Sequence, residues 1–204
     1  MRPDFGEQLT GSGRSIRDPR VLAAMAAIPR EEFVPEDLRH YAYEDGPVGI
    51  GDGQTISQPY IVALMTESLG LGVGEKVLEV GTGSGYQAAV LAEIGCEVYS
   101  VERIETLSRR ASEVLADLGY CGVHLRVDDG AVGWPDHAPY DAVIVTCAAE
   151  SFPDSLFEQL RDGGRMVIPI GGRDDIQELW LYEKISGEKP RRRKLTDVRF
   201  VPFV

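Results

Sequence analysis

The sequence predicts a doubly wound α/β fold with a mostly parallel sheet, an antiparallel C-terminal hairpin and a helical N-terminal appendage. Three observations support this prediction. From residue 76 onward, short apolar runs of strand type alternate with amphipathic runs of helical period. A glycine-rich loop directly follows the first of these strands. Two strand-like runs close the chain, and the Gly/Pro/basic turn between them is typical of a hairpin at a sheet edge.

The N-terminal appendage is predicted to contain one short helix and one long loop. Asp18–Ala27 has an N-cap residue, a proline in the first position and an apolar face. Residues 31–57 are rich in turn-forming residues and are interpreted as an irregular segment, of the kind that often forms lids or binding loops. A second helix should follow at Gln58–Leu69. The predicted parts of this single compact unit are residues 1–57, with the helix and a substrate or active-site loop, and residues 58–204, the main domain.

The main domain is predicted to alternate strands and helices in the order of a parallel sheet. The predicted strands are Lys76–Val80, Glu97–Val101, Val123–Val127, Ala142–Thr146 and Arg165–Ile170. The predicted helices between them are Tyr86–Ile94, Ile104–Leu118 and Pro153–Leu160. The predicted hairpin strands are Gln177–Ile185 and Lys194–Val201. Such sheets bind ligands beyond the carboxyl ends of their strands, so the residues that follow each strand are candidates for a site.

The most informative motif is the loop from Gly81 to Gly85, which has glycine at every second position. A strand, a tight turn and a helix N-terminus bring backbone amides close to a nucleotide-like ligand. The Gly-x-Gly-x-Gly spacing differs from the dinucleotide fingerprint, which places a small residue where this chain has Tyr86. No Lys-Ser/Thr pair follows the glycines, which excludes a phosphate-binding Walker loop. A nucleoside without phosphates, S-adenosylmethionine, fits these features best.

Acidic residues stand next to this loop and at the ends of the two following strands. Glu102 lies at the position where a carboxylate accepts hydrogen bonds from ribose hydroxyls, and the alternative is a surface pair with Arg103. Asp129 and Gly130 follow the third strand, where the amino group of adenine would need an acceptor; the alternative is an ordinary Asp/Gly turn. Glu79 precedes the glycines, and a buried carboxylate there should accept amide or ammonium donors.

A polar, glycine-led segment, Gly51–Tyr60, leads into the second predicted helix. Free amides and the helix dipole make a helix N-terminus a natural site for an anion. The same residues also fit a capping motif in which Ser57 is the N-cap and Pro59 lies close behind it. The residues alone leave both interpretations open.

Composition argues against several classes of function. The formal net charge of −12 and the pI near 4.7 disfavour binding to nucleic acid or to anionic lipid. No apolar run approaches the ~20 residues of a membrane helix, and no signal-peptide pattern is present. The three cysteines and three histidines lack metal-ligand spacing, and Cys147 is interpreted as a small core residue. We therefore expect a cytoplasmic monomer that uses no metal.

Taken together, these residues resemble the protein-L-isoaspartate O-methyltransferase family. The matching motifs are Ala42–Asp45, Gly53–Met65, Val77–Ala92, Val98–Arg103, Gly133–Pro135, Ile144–Ala149, Gly163–Gly171 and Val198–Pro202. The element GQTISQPY is specific to that family, whereas most S-adenosylmethionine-dependent methyltransferases share Gly-x-Gly-x-Gly. The resemblance implies a Rossmann-like class I methyltransferase sheet, repair of isoaspartyl sites in damaged proteins, and Ser57 as the active-site residue. The substrate-binding residues that it implies are Thr55, Ile56, Ser57, Gln58, Pro59, Val198, Phe200 and Val201.

The expected cofactor site combines the glycine loop with residues at the strand ends. Its expected members are Glu79, Gly81, Thr82, Gly83, Ser84, Gly85, Glu102, Asp129, Gly130 and Thr146. One departure concerns Asp128, because the family's usual Gly-Asp-Gly is Asp128-Asp129-Gly130 here. Glycine relaxes φ, so this departure leaves the backbone conformation on the adenine side open.

The implied reaction moves a methyl group from a sulfonium to a carboxylate, which is already ionised near neutral pH. No general base is therefore needed, and the protein must supply in-line geometry and a dry cleft in which the two charges neutralise each other. Ser57 would orient the carboxylate with one hydrogen bond. Two alternatives stay open: a carboxylate methyltransferase of the same fold that acts on a maturing peptide or small molecule, and a non-catalytic protein that only binds the cofactor.

Overall fold

A seven-stranded sheet with helices packed against it forms the body of the protein. The computed structural model describes residues 9–11, 14–172 and 175–203, so the first eight residues of the predicted appendage lie outside the described residues. The strands are β1 Thr10–Gly11, β2 Arg14–Ser15, β3 Val48–Gly51, β4 Gln54–Ile56, β5 Lys76–Val80, β6 Glu97–Glu102, β7 His124–Val127, β8 Tyr140–Val145, β9 Leu160–Ile170, β10 Gln177–Glu183 and β11 Arg191–Val198. The α-helices are α1 Pro19–Ala27, α2 Pro59–Leu69, α3 Tyr86–Ile94, α4 Glu105–Asp117 and α5 Asp154–Glu158.

The sheet has the predicted doubly wound topology. Its strand order is β11-β10-β9-β8-β5-β6-β7, and β5 pairs in parallel with both β6 and β8. The chain therefore turns in opposite directions from β5, which places the topological switch point between β5 and β8. The last two strands form the predicted antiparallel hairpin, with β10 against β9 and β11 at the edge.

Alternate residues of the central strands point to two separate cores. In β8, Ala142 and Ile144 belong to one buried cluster, and Val143 and Val145 belong to the other. This period of two places the clusters on opposite faces of the sheet. The first cluster also includes buried residues of α1 such as Met25, so the N-terminal helix and the sheet share one core. None of the helices in the described ranges has the length and apolar character needed to cross a membrane.

The N-terminal region is more ordered than the sequence predicts. Helix α1 is confirmed, and the Asp18 side chain accepts a hydrogen bond from Arg20 N as its N-cap. The interpretation of residues 31–57 as irregular is wrong, because they contain two short 3-10 helices and the hairpin β3–β4. Gly51, Asp52 and Gly53 turn this hairpin with φ of 97°, 51° and 71°. Such positive φ values explain the Gly-Asp-Gly sequence at the turn.

The largest boundary differences lie beside the hairpin at the C-terminus. Strand β9 begins at Leu160 rather than Arg165, and the helix before it is correspondingly short. Strand β11 ends at Val198 rather than Val201. The chain leaves the sheet there because Phe200 N donates to Gln177 Oε1 at 2.8 Å instead of continuing the ladder.

Candidate active site

The glycine loop packs directly against the end of the neighbouring strand β8. Gly81 follows β5 with a φ of 96°, and a Cβ at this position would lie 2.5 Å from Thr146 Oγ1. The Thr146 hydroxyl donates to Gly81 O at 2.6 Å and so holds the loop backbone in place. Only glycine fits a positive φ and this close approach, which leaves the loop backbone accessible to a ligand.

Glu102 ties the glycine loop to the end of β6. Its carboxylate is 7% exposed and accepts from Gly83 N at 2.8 Å and from Ile104 N at 2.9 Å. A carboxylate has about four lone-pair sites, so these two amides leave acceptor capacity for hydroxyl donors of a ligand. The alternative of a surface pair with Arg103 does not agree with this burial, and no ion pair between the two is present in the described part of the chain.

Glu79 lies beneath the loop and is completely buried. Ser100 Oγ donates to its Oε2 at 2.5 Å, and Thr82 Oγ1 lies 2.6 Å from the same serine hydroxyl. The donor to Oε2 is therefore a hydroxyl, and Oε1 is buried with no hydrogen-bond partner among the described residues. Burial raises the pKa of Glu79 to about 8, which keeps its carboxyl protonated near neutral pH.

Two narrow cavities of about 60 and 40 Å³ meet at Gly81 and Glu102. The first runs along the loop past Ser84 to Tyr86. The second extends to Gly130 beyond β7. The two cavities share these lining residues and are called the channel below; they lie over the carboxyl ends of the central strands, which is the position predicted for a nucleoside ligand.

The β7 end of this channel also excludes a side chain. A Cβ on Gly130 would lie 2.5 Å from Val80 Cγ1. Asp129 points elsewhere, since its Oδ1 accepts from Ala131 N at 2.9 Å and the residue does not line the channel. Asp128 has no positive φ, so aspartate takes the place of the family's usual glycine without backbone strain.

Cys147 packs against the second core cluster, as the core interpretation expects, and also lines both parts of the channel. Its Sγ lies 3.6 Å from the position of a Cβ on Gly81. Burial raises the pKa of this thiol, and the nearby carboxylates of Glu102 and Glu79 raise it further. The thiol therefore stays protonated and presents a small, uncharged surface to the channel.

A wider cleft of about 540 Å³ opens beside the channel. Its lining includes four of the residues that the resemblance implies on the Ser57 side and at the C-terminus: Thr55, Gln58, Val198 and Phe200. Four residues, Thr55 again among them, line both the cleft and the channel: Thr55, Ser57, Thr146 and Val201. Ser57 therefore lies where the cleft and the channel meet.

The capping interpretation of Ser57 is wrong. Helix α2 begins at Pro59 with Gln58 as its N-cap, and no side chain caps it. Gln58 Nε2 instead donates to Asp45 Oδ1 at 2.7 Å across the cleft wall. Ile56 is buried but borders the channel, whereas Pro59 is buried in the first turn of α2 and lines neither space.

The C-terminal segment forms the wall opposite Ser57. Ala148 N donates to Val201 O at 2.8 Å, and Phe203 N donates to Ala148 O at 2.8 Å. Together with the bond from Phe200 N to the buried Gln177 side chain, these bonds hold the segment beside the end of β8. This wall of the cleft is therefore held by hydrogen bonds that lie outside the strand pairing of the seven-stranded sheet.

Sequence reasoning missed three charged residues of the cleft, Asp45, Asp197 and Arg199. Asp45 belongs to a motif that indicated the family but suggested no role. Arg199 stands between two predicted residues, Val198 and Phe200, and strand alternation would place it on the other face. Because β11 ends at Val198, alternation stops there and Arg199 also lines the cleft. It is the one cationic side chain in the cleft lining among the described residues.

The histidines contribute nothing to this site. His124 and His137 stack on the Tyr99 ring, with centroid distances of 4.6 and 4.3 Å. Within the described ranges, no cluster of three or more His, Cys, Asp or Glu side chains could hold a metal ion.

Comparison with known proteins agrees with this geometry. The family model of protein-L-isoaspartate(D-aspartate) O-methyltransferases matches residues 7–204. A protein-L-isoaspartate O-methyltransferase of Opitutus terrae is 56% identical over 190 residues, which cover 93% of this chain and 81% of the relative. A protein-L-isoaspartate O-methyltransferase 2 of Pelobacter propionicus is 54% identical over 98% of this chain and 88% of its own.

Solved structures with the same fold are also similar. The structure of one protein-L-isoaspartate O-methyltransferase matches with a TM-score of 0.82 and 33% identity. The match covers 92% of this chain and 61% of that longer chain. A Plasmodium falciparum structure, described as a protein-L-isoaspartate O-methyltransferase in complex with S-adenosyl-L-homocysteine, has a TM-score of 0.79 and 25% identity. This match covers 93% of this chain and 92% of the Plasmodium falciparum chain. With a family model that spans nearly its whole length and relatives above half identity, this chain belongs to the protein-L-isoaspartate(D-aspartate) O-methyltransferase family.

Proposed function

We propose that the chain is a protein-repair methyltransferase that moves a methyl group from S-adenosylmethionine to the free carboxylate of L-isoaspartyl residues in damaged proteins and peptides. Membership of the family supports this activity. The observation that carries it is the position of Ser57, which lines both the narrow channel along the glycine loop and the wider cleft of about 540 Å³. A cofactor in the channel and an acceptor in the cleft would meet at this residue.

The channel suits the cofactor. Gly81 and Gly130 let the loop and strand ends approach Thr146 and Val80 more closely than any Cβ would allow, and Glu102 keeps acceptor capacity for ribose hydroxyls. When bound, S-adenosylmethionine supplies a methyl group on a sulfonium, which a carboxylate attacks without prior activation. We assign the glycine loop, Glu102, Gly130 and Thr146 to this ligand. Glu79 and Thr82 support the loop from below, with Ser100 between them.

The cleft suits the acceptor carboxylate. The Ser57 hydroxyl can donate one hydrogen bond to it, and the Arg199 guanidinium attracts it electrostatically. Neither group removes a proton, because the carboxylate is ionised at neutral pH. The protein's contribution is therefore orientation, and effective molarities show that orientation alone can supply roughly 7–11 kcal/mol.

The overall context of the protein is also part of the proposal. We propose a cytoplasmic monomer in which residues 1–57 and 58–204 act as one unit. Three free cysteines suit a reducing compartment, and helix α1 shares a core with the sheet. The net charge of −12 disfavours self-association and binding to nucleic acid or anionic lipid.

Analysis of the products tests the proposed repair. A synthetic isoaspartyl peptide is incubated with the protein and S-adenosylmethionine, and the peptide forms are separated over time. The expected result is a base-labile methyl ester, followed by a succinimide and a growing fraction of the normal aspartyl peptide. Ester formation on other carboxylates, with none on the isoaspartyl residue, would instead support a methyltransferase for a different carboxylate substrate.

A further inference from the structure

The side chain of Arg30 is completely buried, although it carries a positive charge. No carboxylate in the described ranges forms an ion pair with it, and burial lowers the pKa of its guanidinium. A buried charge without a counter-ion is costly, and replacing buried ions with apolar groups often leaves stability unchanged or increases it. An ion pair therefore does not account for an arginine at this position.

Arg30 contacts three residues in or near the proposed active site. Its Nη2 donates to Ser57 O at 2.7 Å, and its Nε donates to Ala42 O at 2.6 Å. Its guanidinium carbon lies 4.7 Å from the centre of the Tyr86 ring. Nη1 has no hydrogen-bond partner among the described residues.

Each contact fixes a different part of the site. The Ser57 carbonyl belongs to the segment that carries the proposed active-site hydroxyl. The Ala42 carbonyl begins the turn that leads to Asp45, which accepts a hydrogen bond from Gln58 and lines the cleft with it. Tyr86 is the first residue of α3, directly after the glycine loop, and lines the channel. One planar group thus connects the Ser57 side of the cleft with the channel.

We propose that Arg30 is a positioning residue, which holds the Ser57 segment in register with the glycine loop so that the acceptor carboxylate lies in line with the cofactor. The inference rests on the proposed function. The guanidinium can bind two carbonyl oxygens at once because its donors form a rigid planar fork, whereas a lysine ammonium is a single point of charge. Small misplacements of reacting groups lower reaction rates by up to about 100-fold. A substitution of Arg30 that shifts the Ser57 segment should therefore lower the rate of methyl transfer.

The test combines Arg30→Lys with Ser57→Ala. Arg30→Lys should lower kcat/KM for an isoaspartyl peptide about tenfold or more, because a small misplacement is costly. If Arg30 acts through Ser57, the same substitution in a Ser57→Ala background should lower kcat/KM far less, since coupled residues are non-additive.

Calorimetric affinity for S-adenosylhomocysteine should change little in Arg30→Lys. Met166→Ala, a fully buried change in the other core cluster, controls for lost stability and should keep kcat/KM well below its melting temperature.

The outcomes separate the two proposals. The inference would be overturned if Arg30→Lys lowered kcat/KM by the same factor in the unsubstituted protein and in the Ser57→Ala variant. Full activity of Arg30→Lys would overturn it as well. An unsubstituted protein that binds S-adenosylhomocysteine but methylates no isoaspartyl peptide would contradict the proposed function, and the assignment of Arg30 with it. If Arg30→Lys does not fold, Arg30→Gln replaces it in the same cycle, because a neutral amide avoids an unsatisfied buried charge.

Discussion

The proposed role of Ser57 in the reaction is to orient a group, and it involves no action as an acid or base. It lies at the junction of the cleft and the channel, and it caps no helix. Its proposed contribution is one hydrogen bond to a nucleophile that is already ionised. The consequence of removing it should therefore be partial.

Ser57→Ala should lower turnover by roughly tens- to hundreds-fold, the cost of losing orientation, while the affinity for S-adenosylhomocysteine stays nearly unchanged. Steady-state kinetics and calorimetry measure the two effects. Ser186→Ala, an exposed serine in the β10–β11 turn, is the matched control and should behave like the unsubstituted protein. Full turnover of Ser57→Ala would remove this hydroxyl from the proposed mechanism.

Glu102→Ala should weaken cofactor affinity, because charge-assisted hydrogen bonds to hydroxyls contribute about 1.5–3 kcal/mol each. The loss also frees Gly83 N and Ile104 N, the two amides that this carboxylate now binds. Calorimetry with S-adenosylhomocysteine measures the change. Glu188→Gln, which removes one exposed charge far from the site, controls for net charge. Unchanged affinity in Glu102→Ala would exclude Glu102 from the cofactor site.

At the scale of structural elements, the channel depends on close approach between strand ends. Gly130→Ala should disrupt the channel, because its Cβ would lie 2.5 Å from Val80 Cγ1 at the end of β5. We expect a loss of cofactor affinity on the order of tenfold or more, with some loss of stability from overpacking. Gly122→Ala is a matched control, since a Cβ there meets nothing within 4 Å. Equal cofactor affinity in the two variants would contradict the assignment of this end of the channel.

Elements that depend on local signals could be predicted from the sequence. Strand β5 and helix α3 have the predicted boundaries, because the apolar run, the glycine loop and Gly95 are all adjacent in the chain. The end of β11 could not be predicted, since it depends on the distant side chain of Gln177. The hairpin β3–β4 was missed because its strands are short and rich in glycine.

In the candidate site too, residues that are contiguous in sequence could be predicted, whereas residues that only the fold brings together could not. The family motif indicated Ser57 and the neighbouring cleft residues, which are contiguous in sequence. Arg30 and Arg199 could not be identified in this way, because their positions depend on contacts across the fold. The hydroxyl donor to Glu79 could not be identified in this way either, because Ser100 belongs to the neighbouring strand.

At the scale of the whole molecule, Glu79 makes stability depend on pH. Burial raises its pKa from the ordinary value of 4.5 to about 8. The folded protein therefore holds this proton more tightly than the unfolded chain does. Its contribution to stability is full below the ordinary pKa and is lost as the pH rises through the folded pKa.

We expect the free energy of unfolding of the unsubstituted protein to fall, relative to that of Glu79→Gln, between about pH 5 and about pH 8. The difference should reach several kcal/mol, because each unit of pKa shift corresponds to about 1.36 kcal/mol. Urea denaturation of both proteins across this range measures it. Glu188→Gln should keep the pH dependence of the unsubstituted protein. Parallel pH profiles for the unsubstituted protein and Glu79→Gln would show that the Glu79 carboxyl does not titrate in this way.

The most direct test of the proposed function compares initial rates of methyl transfer to one peptide synthesised in two forms, which differ only in an isoaspartyl or an aspartyl linkage at one position. The two forms place the free carboxylate differently relative to the peptide backbone, so a site that orients this carboxylate at the Ser57 junction should distinguish them. We predict methylation of the isoaspartyl form and little or none of the aspartyl form. Comparable methylation of both forms, or of neither, would contradict the assignment of this protein to isoaspartyl repair.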